Sequence, residues 1–563
     1  MSPTEQGVVL VAAALLVVAG AAAFSPRLRI PAPLVLVVVG IGLSLLPVVP
    51  TVVVDPQLVL IGILPPLLYA GSVSMPSMDL RREFGTISGL SVLLVVISAL
   101  VLGWLFTVLI PGLGYAWGVA LGAVISPTDA VATSIVKKAD VSHRVIAILE
   151  GESLLNDASA LVVLRAAVAA GAAASAGVDI PFVVGQFGYS VVVAVVIGIV
   201  VGRGSVWLRS KVTDSTVNTV ISFTVPFIAA IPTELAGGSG LVAAVAAGLA
   251  VGRQAPRRLS AEHRRSDTEN WAMVSLLLEG AIFLLMGLEI AQIVSTGVSP
   301  RTVGALPIAV AALATVVLLR AAFVIPLLLL LRGSGRRRTR FRERLTDMQQ
   351  AISEGGQPAL EARRQERRTE PQRGRQRRRP LRPITTQDFE RFSKRVRQAL
   401  ADIDYLAASP LGPREGAVVV WAGMRGAVTV AAVQTLEPGT PHRDLLVLVA
   451  FGVAAISLIV QGGTLSALIR LLKPQGDDPE ARKAEQVKVL QLIRDSTGTL
   501  SGPEGDAQLR AMSIDERLAR IRTSRNALLD ARDEGVFSAD VLSSALESLD
   551  AMELAIDVRK GSA

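Results

Sequence analysis

Long runs of leucine, valine, alanine and isoleucine recur along this chain, separated by short connections that hold most of its polar residues. Thirteen such segments can be marked, near 7–24, 31–49, 56–73, 86–110, 114–136, 145–174, 181–202, 216–232, 239–252, 271–293, 302–331, 415–434 and 444–472. Apolar stretches of about 18 residues or more, repeated this often, exceed what a soluble core needs. The pattern predicts an all-α polytopic membrane protein of about thirteen transmembrane helices. A composition 51% hydrophobic and only 4% aromatic agrees.

The connections carry a directional signal. Those after segments 1, 3, 5, 7 and 9 hold fifteen basic residues, among them Arg27, Arg81, Lys137, Arg203 and Arg253. The N-terminus and the connections after segments 2, 4, 6, 8, 10 and 12 hold only Arg301 and Arg443. Basic residues stay on the cytosolic side, so the alternation predicts an external N-terminus and a cytoplasmic C-terminus in the cell membrane. The first run, Gly7 to Phe24, lacks a basic leader and reads as a membrane helix rather than a cleaved signal.

Four regions follow: transmembrane segments 1–11 over residues 1–332, a basic cytosolic insert over 333–413, segments 12 and 13 over 414–473, and a cytosolic helical tail over 474–563. Sixteen arginines and six acidic residues between Arg336 and Arg382 give the insert a charge of +10, so the net charge of +9 belongs to this one stretch. Its arginine-rich part is poor in apolar residues and is predicted to be disordered. Residues Thr386 to Ala407 have helical periodicity, and Ile514 to Val558 read as two or three amphipathic helices. The insert is a candidate to touch anionic lipid headgroups, the plain alternative being a solvated arm. Without interleaved aromatics, nucleic acid is not an expected partner.

Candidate chemistry lies where polar residues interrupt the apolar segments. Segment 5 breaks at Ser126-Pro127-Thr128-Asp129, since proline removes a backbone donor and clashes with the preceding turn. Segment 12 holds Gly423-Met424-Arg425-Gly426. Exposed carbonyls at membrane depth are tolerated only where they line a cavity, and there they can coordinate cations. The two breaks sit seven segments apart, so the chain is predicted to form inverted-topology repeats with two broken helices crossing in the core.

Segment 6 carries GESLLNDASA, in which Ser153 and Asp157 are spaced i, i+4 and Asn156 adjoins Asp157. One helical face thus offers hydroxyl, carboxylate and amide oxygens. A carboxylate inside a membrane marks a functional site by default, and one acid can hold either a monovalent cation or a proton. Glu152 needs a counter-charge, and Arg320 in segment 11 is the obvious one. Glu279 in segment 10 is a candidate to line the core or to support packing, as is Arg425. Arg165 is expected to snorkel outward.

These features point to an ion-coupled transporter. A cation channel is the rival, distinguished by current without obligatory proton movement. The absence of cysteine excludes disulfides and thiolate metal sites. The three histidines fall in expected loops, and no Gly-x-Ser-x-Gly occurs, which argues against an intramembrane hydrolase or any other enzyme.

SPTDAV, GESLLNDASALV, EGAIFLLMGLE, the Arg320 segment and WAGMRGAV resemble, in consistent order over about residues 7–472, the signature stretches of the monovalent cation:proton antiporter family that contains sodium/proton exchangers. The prokaryotic branch is the closest match. The resemblance implies a homodimer with a mobile core that carries its ion in an elevator-like movement. It implies Asp157 as the ion- and proton-binding carboxylate, with Ser153, Asp129 and the backbone of Thr128 completing a sodium site. Asn156 is implied as the amide of an Asn-Asp pair, and Glu152 with Arg320 as the supporting ion pair. The family branch with Asn-Asp is generally electroneutral, so the resemblance implies exchange of one Na⁺ or Li⁺ for one H⁺, and no cofactor is expected. One departure is Ala70 in LPPLLYAGS, where many relatives carry a glutamate, which brings K⁺ into consideration.

Overall fold

The computed structural model describes residues 3–28, 31–45, 55, 57–173, 180–295, 304–333, 341–350, 352–353, 385–437, 439–497 and 512–561. Among these there is no strand, and the described part of each of the thirteen apolar segments is helical, in segments 5 and 12 as two half-helices. Seven helices are long and apolar enough to cross a membrane: Phe84–Leu109, His143–Gly171, Gly185–Arg209, Ser215–Leu235, Ala261–Glu289, Ala305–Leu331 and Arg443–Leu472. Shorter apolar helices accompany them at Val9–Ser25, Ala32–Ser44, Leu58–Ser74 and Tyr115–Ile125.

Two compact units emerge, Met1–Pro326 with Pro413–Gly476, and Leu327–Gly412 with Asp477–Ala563. The first begins with α1 (Pro3–Leu28), α2 (Ala32–Ser44), α3 (Leu64–Ser74), α4 (Ser77–Arg82), α5 (Phe84–Ser88) and α6 (Leu94–Leu109). Next come α7 (Tyr115–Ile125) and α8 (Ala130–Lys137), the halves of segment 5, then α9 (His143–Ala173) with the Asn156-Asp157 pair. They are followed by α10 (Ile180–Arg209), α11 (Ser215–Leu235), α12 (Gly240–Arg258), α13 (Ala261–Ser295) and α14 (Ala305–Gly333). Both segments that the chain pattern marks as interrupted are broken at the expected residues.

Small side chains let these helices approach closely, the usual solution where no hydrophobic force distinguishes lipid from protein. Ala194 of α10, Ala229 of α11 and Ala243, Ala244 and Ala247 of α12 are fully buried together with Tyr69 of α3. Trp271 of α13 closes this core, 4.8 Å from the Tyr69 ring and edge-on to Phe223 at 5.3 Å. Its indole N–H donates to Ser222 Oγ at 3.0 Å, so the buried donor is satisfied.

Charged residues at the ends of these helices are buried in pairs. Arg144 Nε donates to Glu83 Oε1 at 2.6 Å, with 3% and 1% of the two side chains exposed. His143 Nε2 lies 2.9 Å from Asp79. Arg209, wholly buried, bonds Asn218 Oδ1 at 2.8 Å through Nε and pairs with Asp267, and Asn218 reaches His263 Nδ1 at 3.0 Å. His143 and His263 therefore sit in helices α9 and α13 rather than in the expected loops.

The second unit contains a helix over residues 341–350, inside the stretch predicted to be disordered. Its Leu345 is buried against Val396 and Leu400 of α15 (Thr386–Ala408), which corrects that expectation for this piece. Apart from residues 352–353, the remainder to Arg382 lies outside the described residues. Leu345, with Met348 and Ile352 at helical spacing after it, packs against Val396 and Leu400 despite the surrounding arginines. The tail forms α20 (Pro479–Thr497), α21 (Ile514–Glu534) and α22 (Ala539–Gly561), numbered after the segment 12 and 13 helices α16–α19 described below. The sequence boundaries treat insert and tail separately, yet they meet: Arg397 Nη2 donates to Glu534 at 2.9 Å. Arg525 clamps α21 to α22 through Asp550 at 2.6 Å and Glu553 at 2.5 Å.

A capping box starts α21, Ser513 Oγ accepting from the Glu516 N–H and the Glu516 carboxylate accepting from the Ser513 N–H at 2.8 Å. These bonds from Ser513 hold the Glu516 carboxyl below its usual range. The cap's contribution is thus present above the ordinary glutamate pKa and fades as pH falls through the lowered value.

Removing one partner of a buried pair strands the other charge. Arg144→Ala is expected to destabilise the protein by about 3–5 kcal/mol. Arg265→Ala, which removes an i, i+4 partner of Glu269 that is two-thirds exposed, should change stability by no more than about 0.5 kcal/mol. Thermal unfolding in detergent micelles would compare the two variants directly.

Candidate functional site

The site begins with the two helix breaks. Segment 5 stops being helical after Ile125 and resumes at Ala130. Segment 12 comprises α16 (Pro413–Trp421) and α17 (Ala427–Gln434), followed by α18 (Arg443–Ser457) and α19 (Gly463–Leu472) from segment 13. The breaks touch: the Asp129 N–H donates to the Met424 carbonyl at 2.7 Å. Each break frees carbonyls at the end of its first half-helix, and buried carbonyls need donors.

Two buried arginines supply them. Arg425, from the second break, donates through Nε to the Ile125 carbonyl at 2.9 Å, at the end of α7 in the first. Arg320 of α14 donates through Nε to the Val419 carbonyl at 3.0 Å, near the end of α16. The rest of the Arg320 guanidinium forks onto Glu152 of α9, with Nη2 to Oε2 at 2.7 Å. Both partners of this pair are almost wholly buried. The expected Glu152–Arg320 pair is therefore present, and the arginine also braces a helix end. Arg425 is buried as well, but it caps α7 instead of lining the cavity.

Glycines make room for these contacts. A Cβ at Gly423 would lie 2.6 Å from Arg320 Nε, and one at Gly426 would collide with the Asp129 carboxylate. A wide π turn at Leu458–Gly462 follows Ser457 and contains Gln461. Ser457 Oγ accepts from the Arg425 N–H at 2.9 Å, and Gln461 Nε2 donates to the Trp421 carbonyl at 3.1 Å. A second π turn, Gly89–Leu93, holds Ser91, which donates to the Glu152 carbonyl at 3.1 Å. Such turns commonly re-aim side chains at functional places.

The first break faces α9. Ser153 Oγ donates to the Thr128 carbonyl at 2.9 Å, and Asn156 Nδ2 donates to the Ser126 carbonyl at 3.3 Å and lies 3.4 Å from Thr128 Oγ1. Asp129 N-caps α8, its Oδ1 accepting from the Val131 N–H at 3.2 Å. Asp157 is buried, and its Oδ1 has no hydrogen-bond partner; the same holds for Asn156 Oδ1 and Thr429 Oγ1. A buried oxygen left in this state calls for a water, an ion or a proton.

A cavity of about 320 Å³ brings together Thr128, Asp129, Ser153, Asp157 and Glu279. Asn156 is not among its lining residues; its amide points into the break. Among the described residues no three His, Cys, Asp or Glu side chains cluster as a metal site. A cation in the cavity would therefore combine carboxylate with hydroxyl or carbonyl oxygens, as suits a hard monovalent ion. The sequence reading missed Thr429, a hydroxyl in the first turn of α17, three residues after Gly426. It also missed Ser275, one turn before Glu279 on α13, and the Lys137–Glu150 pair, all of which line the same cavity. The signal for the first two was spacing from a residue already singled out. Lys137 and Glu150 come from different helices and had none.

Apolar helices around two touching breaks, with a buried acid facing an aqueous-sized cavity, define a membrane-embedded ion transporter. The sequence matches the family described as sodium/hydrogen exchanger, transmembrane, over residues 11–348, and the chain belongs to that family. It is 34% identical over 279 residues to the uncharacterized Na(+)/H(+) exchanger YjcE of Escherichia coli, covering 48% of this chain and 50% of that protein. It is 29% identical over 273 residues to the sodium, potassium, lithium and rubidium/H(+) antiporter of Bacillus subtilis, covering 47% of this chain and 41% of that one. These alignments thus span half or less of the two relatives. The fold is that of the sodium proton antiporter MjNhaP1 from Methanocaldococcus jannaschii, with a TM-score of 0.57 at 16% identity, covering 84% of this chain and all of that one.

Arg320→Ala would strand both Glu152 and the Val419 carbonyl, at about 3–5 kcal/mol. The double variant Glu152→Ala/Arg320→Ala should lose clearly less than the sum of the two single losses, and a thermal-unfolding double-mutant cycle measures that coupling.

Proposed function

We propose that this protein is a monovalent cation/proton antiporter that exchanges one Na⁺ or Li⁺ for one H⁺ at Asp157. The observation that supports this most is the buried Asp157 carboxylate with an unpartnered oxygen, in a cavity it shares with Ser153, Thr128 and Asp129. One carboxylate cannot hold a cation and a proton together, so occupancy by one excludes the other. A site that changes sides only when occupied then couples the two fluxes, because each occupant biases the same two-state equilibrium.

The neighbour of Asp157 is an amide, and its Nδ2 is engaged with the Ser126 carbonyl. A neutral partner supports electroneutral exchange, one positive charge for another. Ser153 Oγ donates to the Thr128 carbonyl beside the cavity that both residues line, and Asp129 brings a second charge to the N-terminus of α8.

The cavity extends to Lys137 and Glu150, which pair at the junction of α8 and α9. That junction carries basic residues, so in the membrane of the cell, with the N-terminus outside and the C-terminus in the cytosol, the cavity opens inward. The protein works there as a homodimer whose core carries the ion. A second reading widens the selectivity to K⁺. Ala70 on α3 is buried where many resembling chains carry a glutamate, and the Bacillus subtilis relative is named for potassium and rubidium as well as sodium and lithium.

Everted vesicles with an imposed pH gradient test the proposal. Na⁺ or Li⁺ should dissipate the gradient, Asp157→Asn should reduce the response to that of vesicles without the protein, and clamping the potential with valinomycin should leave the rate unchanged. If Na⁺, Li⁺ and K⁺ all leave the gradient intact between about pH 6.5 and 9, antiport is wrong. Adding K⁺ in the same assay decides the selectivity.

A further inference from the structure

On the far face of α9 from the cation cavity lies a second and larger space, a groove of about 1060 Å³. Leu155 and Val162 of α9 form one wall. The other belongs to α10 and α12, where groove residues recur every third or fourth position. On α10 these are Val191, Val195 and Ile199, ending in Arg203; on α12, Leu249 leads to Arg253. Phe84 and Val92, between the walls, are exposed, and near them Arg81 joins the same lining.

The apolar stripes thus end in arginines, and they end on the same side. Arg81, Arg203 and Arg253 belong to the connections after segments 3, 7 and 9, all on the basic face of the membrane. From Val191 to Arg203 the α10 stripe covers roughly 18 Å. One leaflet offers roughly 15 Å of hydrocarbon before its headgroups begin. The guanidiniums therefore stand at headgroup depth when the stripe lies in the hydrocarbon. Guanidinium groups match phosphate oxygens in fork geometry and charge.

We propose that this groove is a binding site for one anionic phospholipid of the cytoplasmic leaflet, its acyl chains against the α9, α10 and α12 stripes and its phosphate between Arg203 and Arg253, with Arg81 nearby. The volume suits a pair of acyl chains, and the charge selects against zwitterionic lipid. A transmembrane helix from a second protein would match the apolar stripes but not the guanidiniums at headgroup depth. The lipid packs on the back of the helix that carries Asp157. The site does not depend on the antiport reading, because its test reads lipid retention.

Native mass spectrometry of the full-length protein, released from detergent after incubation with phosphatidylglycerol or phosphatidylcholine, tests the site. The expected result is one phosphatidylglycerol retained per protomer in preference to phosphatidylcholine, with soluble glycerol phosphate unable to displace it. Arg203→Ala/Arg253→Ala should weaken phosphatidylglycerol retention about thirty-fold. Val195→Trp should block the groove and lose the lipid while both arginines remain, which covers the chance that the double variant folds poorly. Equal retention of the two lipids, unchanged retention in Val195→Trp, or full displacement by glycerol phosphate would overturn the proposal. So would dimerisation that Val195→Trp abolishes with no effect on lipid, which would make the groove an interface between copies.

Discussion

A carbonyl released from a helix in the middle of a membrane has no water to accept from, and everything at the centre of this protein answers to that constraint. The breaks at Ser126–Asp129 and Gly423–Gly426 free several carbonyls at once. Arg425 takes the Ile125 carbonyl, Arg320 the Val419 carbonyl, Gln461 the Trp421 carbonyl and Asn156 the Ser126 carbonyl. Each donor comes from a different element, so the breaks are held open by the surrounding fold. Without these donors the unwound segments would be unfavourable by several kcal/mol.

The same arrangement produces the chemistry. Arginine is suited to capping because its guanidinium can serve a carbonyl and a carboxylate together. Arg320 does both, so Glu152 offsets the buried positive charge and α9 is tied to the end of α16. The bracing leaves Asp157, on another face of α9, free of structural duty. Glu152 is taken up by its arginine and the Asn156 Nδ2 by the break, while Asp157 lines the cavity with a carboxylate oxygen that has no partner. Three polar residues within six positions of one helix thus have three environments, and of the three only Asp157 lines the cavity.

Outside the site, charge is managed by pairing. The arginine-rich insert could be read only by composition, which averages over local packing. Leu345, Val396 and Leu400 show why that average missed a helix: three apolar contacts outweigh a charged neighbourhood when the charges can point to water. Composition also hid the junction of insert and tail, since Arg397 and Glu534 lie 137 positions apart.

The local pattern of the chain determined the helical class, the position of both breaks and the identity of the buried acid. Apolar run length, a proline after Ser126 and the i, i+4 spacing of Ser153 and Asp157 are properties of neighbouring residues, and neighbours can be read directly. The pairing of Glu152 with Arg320 was also legible, because two lone charges in apolar segments have few alternatives. Tertiary packing decided what spacing cannot encode. It gave Arg425 to a carbonyl 300 positions away, placed Thr429 and Ser275 around Asp157, and separated Asn156 from the cavity its neighbour lines. Those outcomes depend on which helix faces meet, and the free energy that selects them is summed over many contacts distant in sequence.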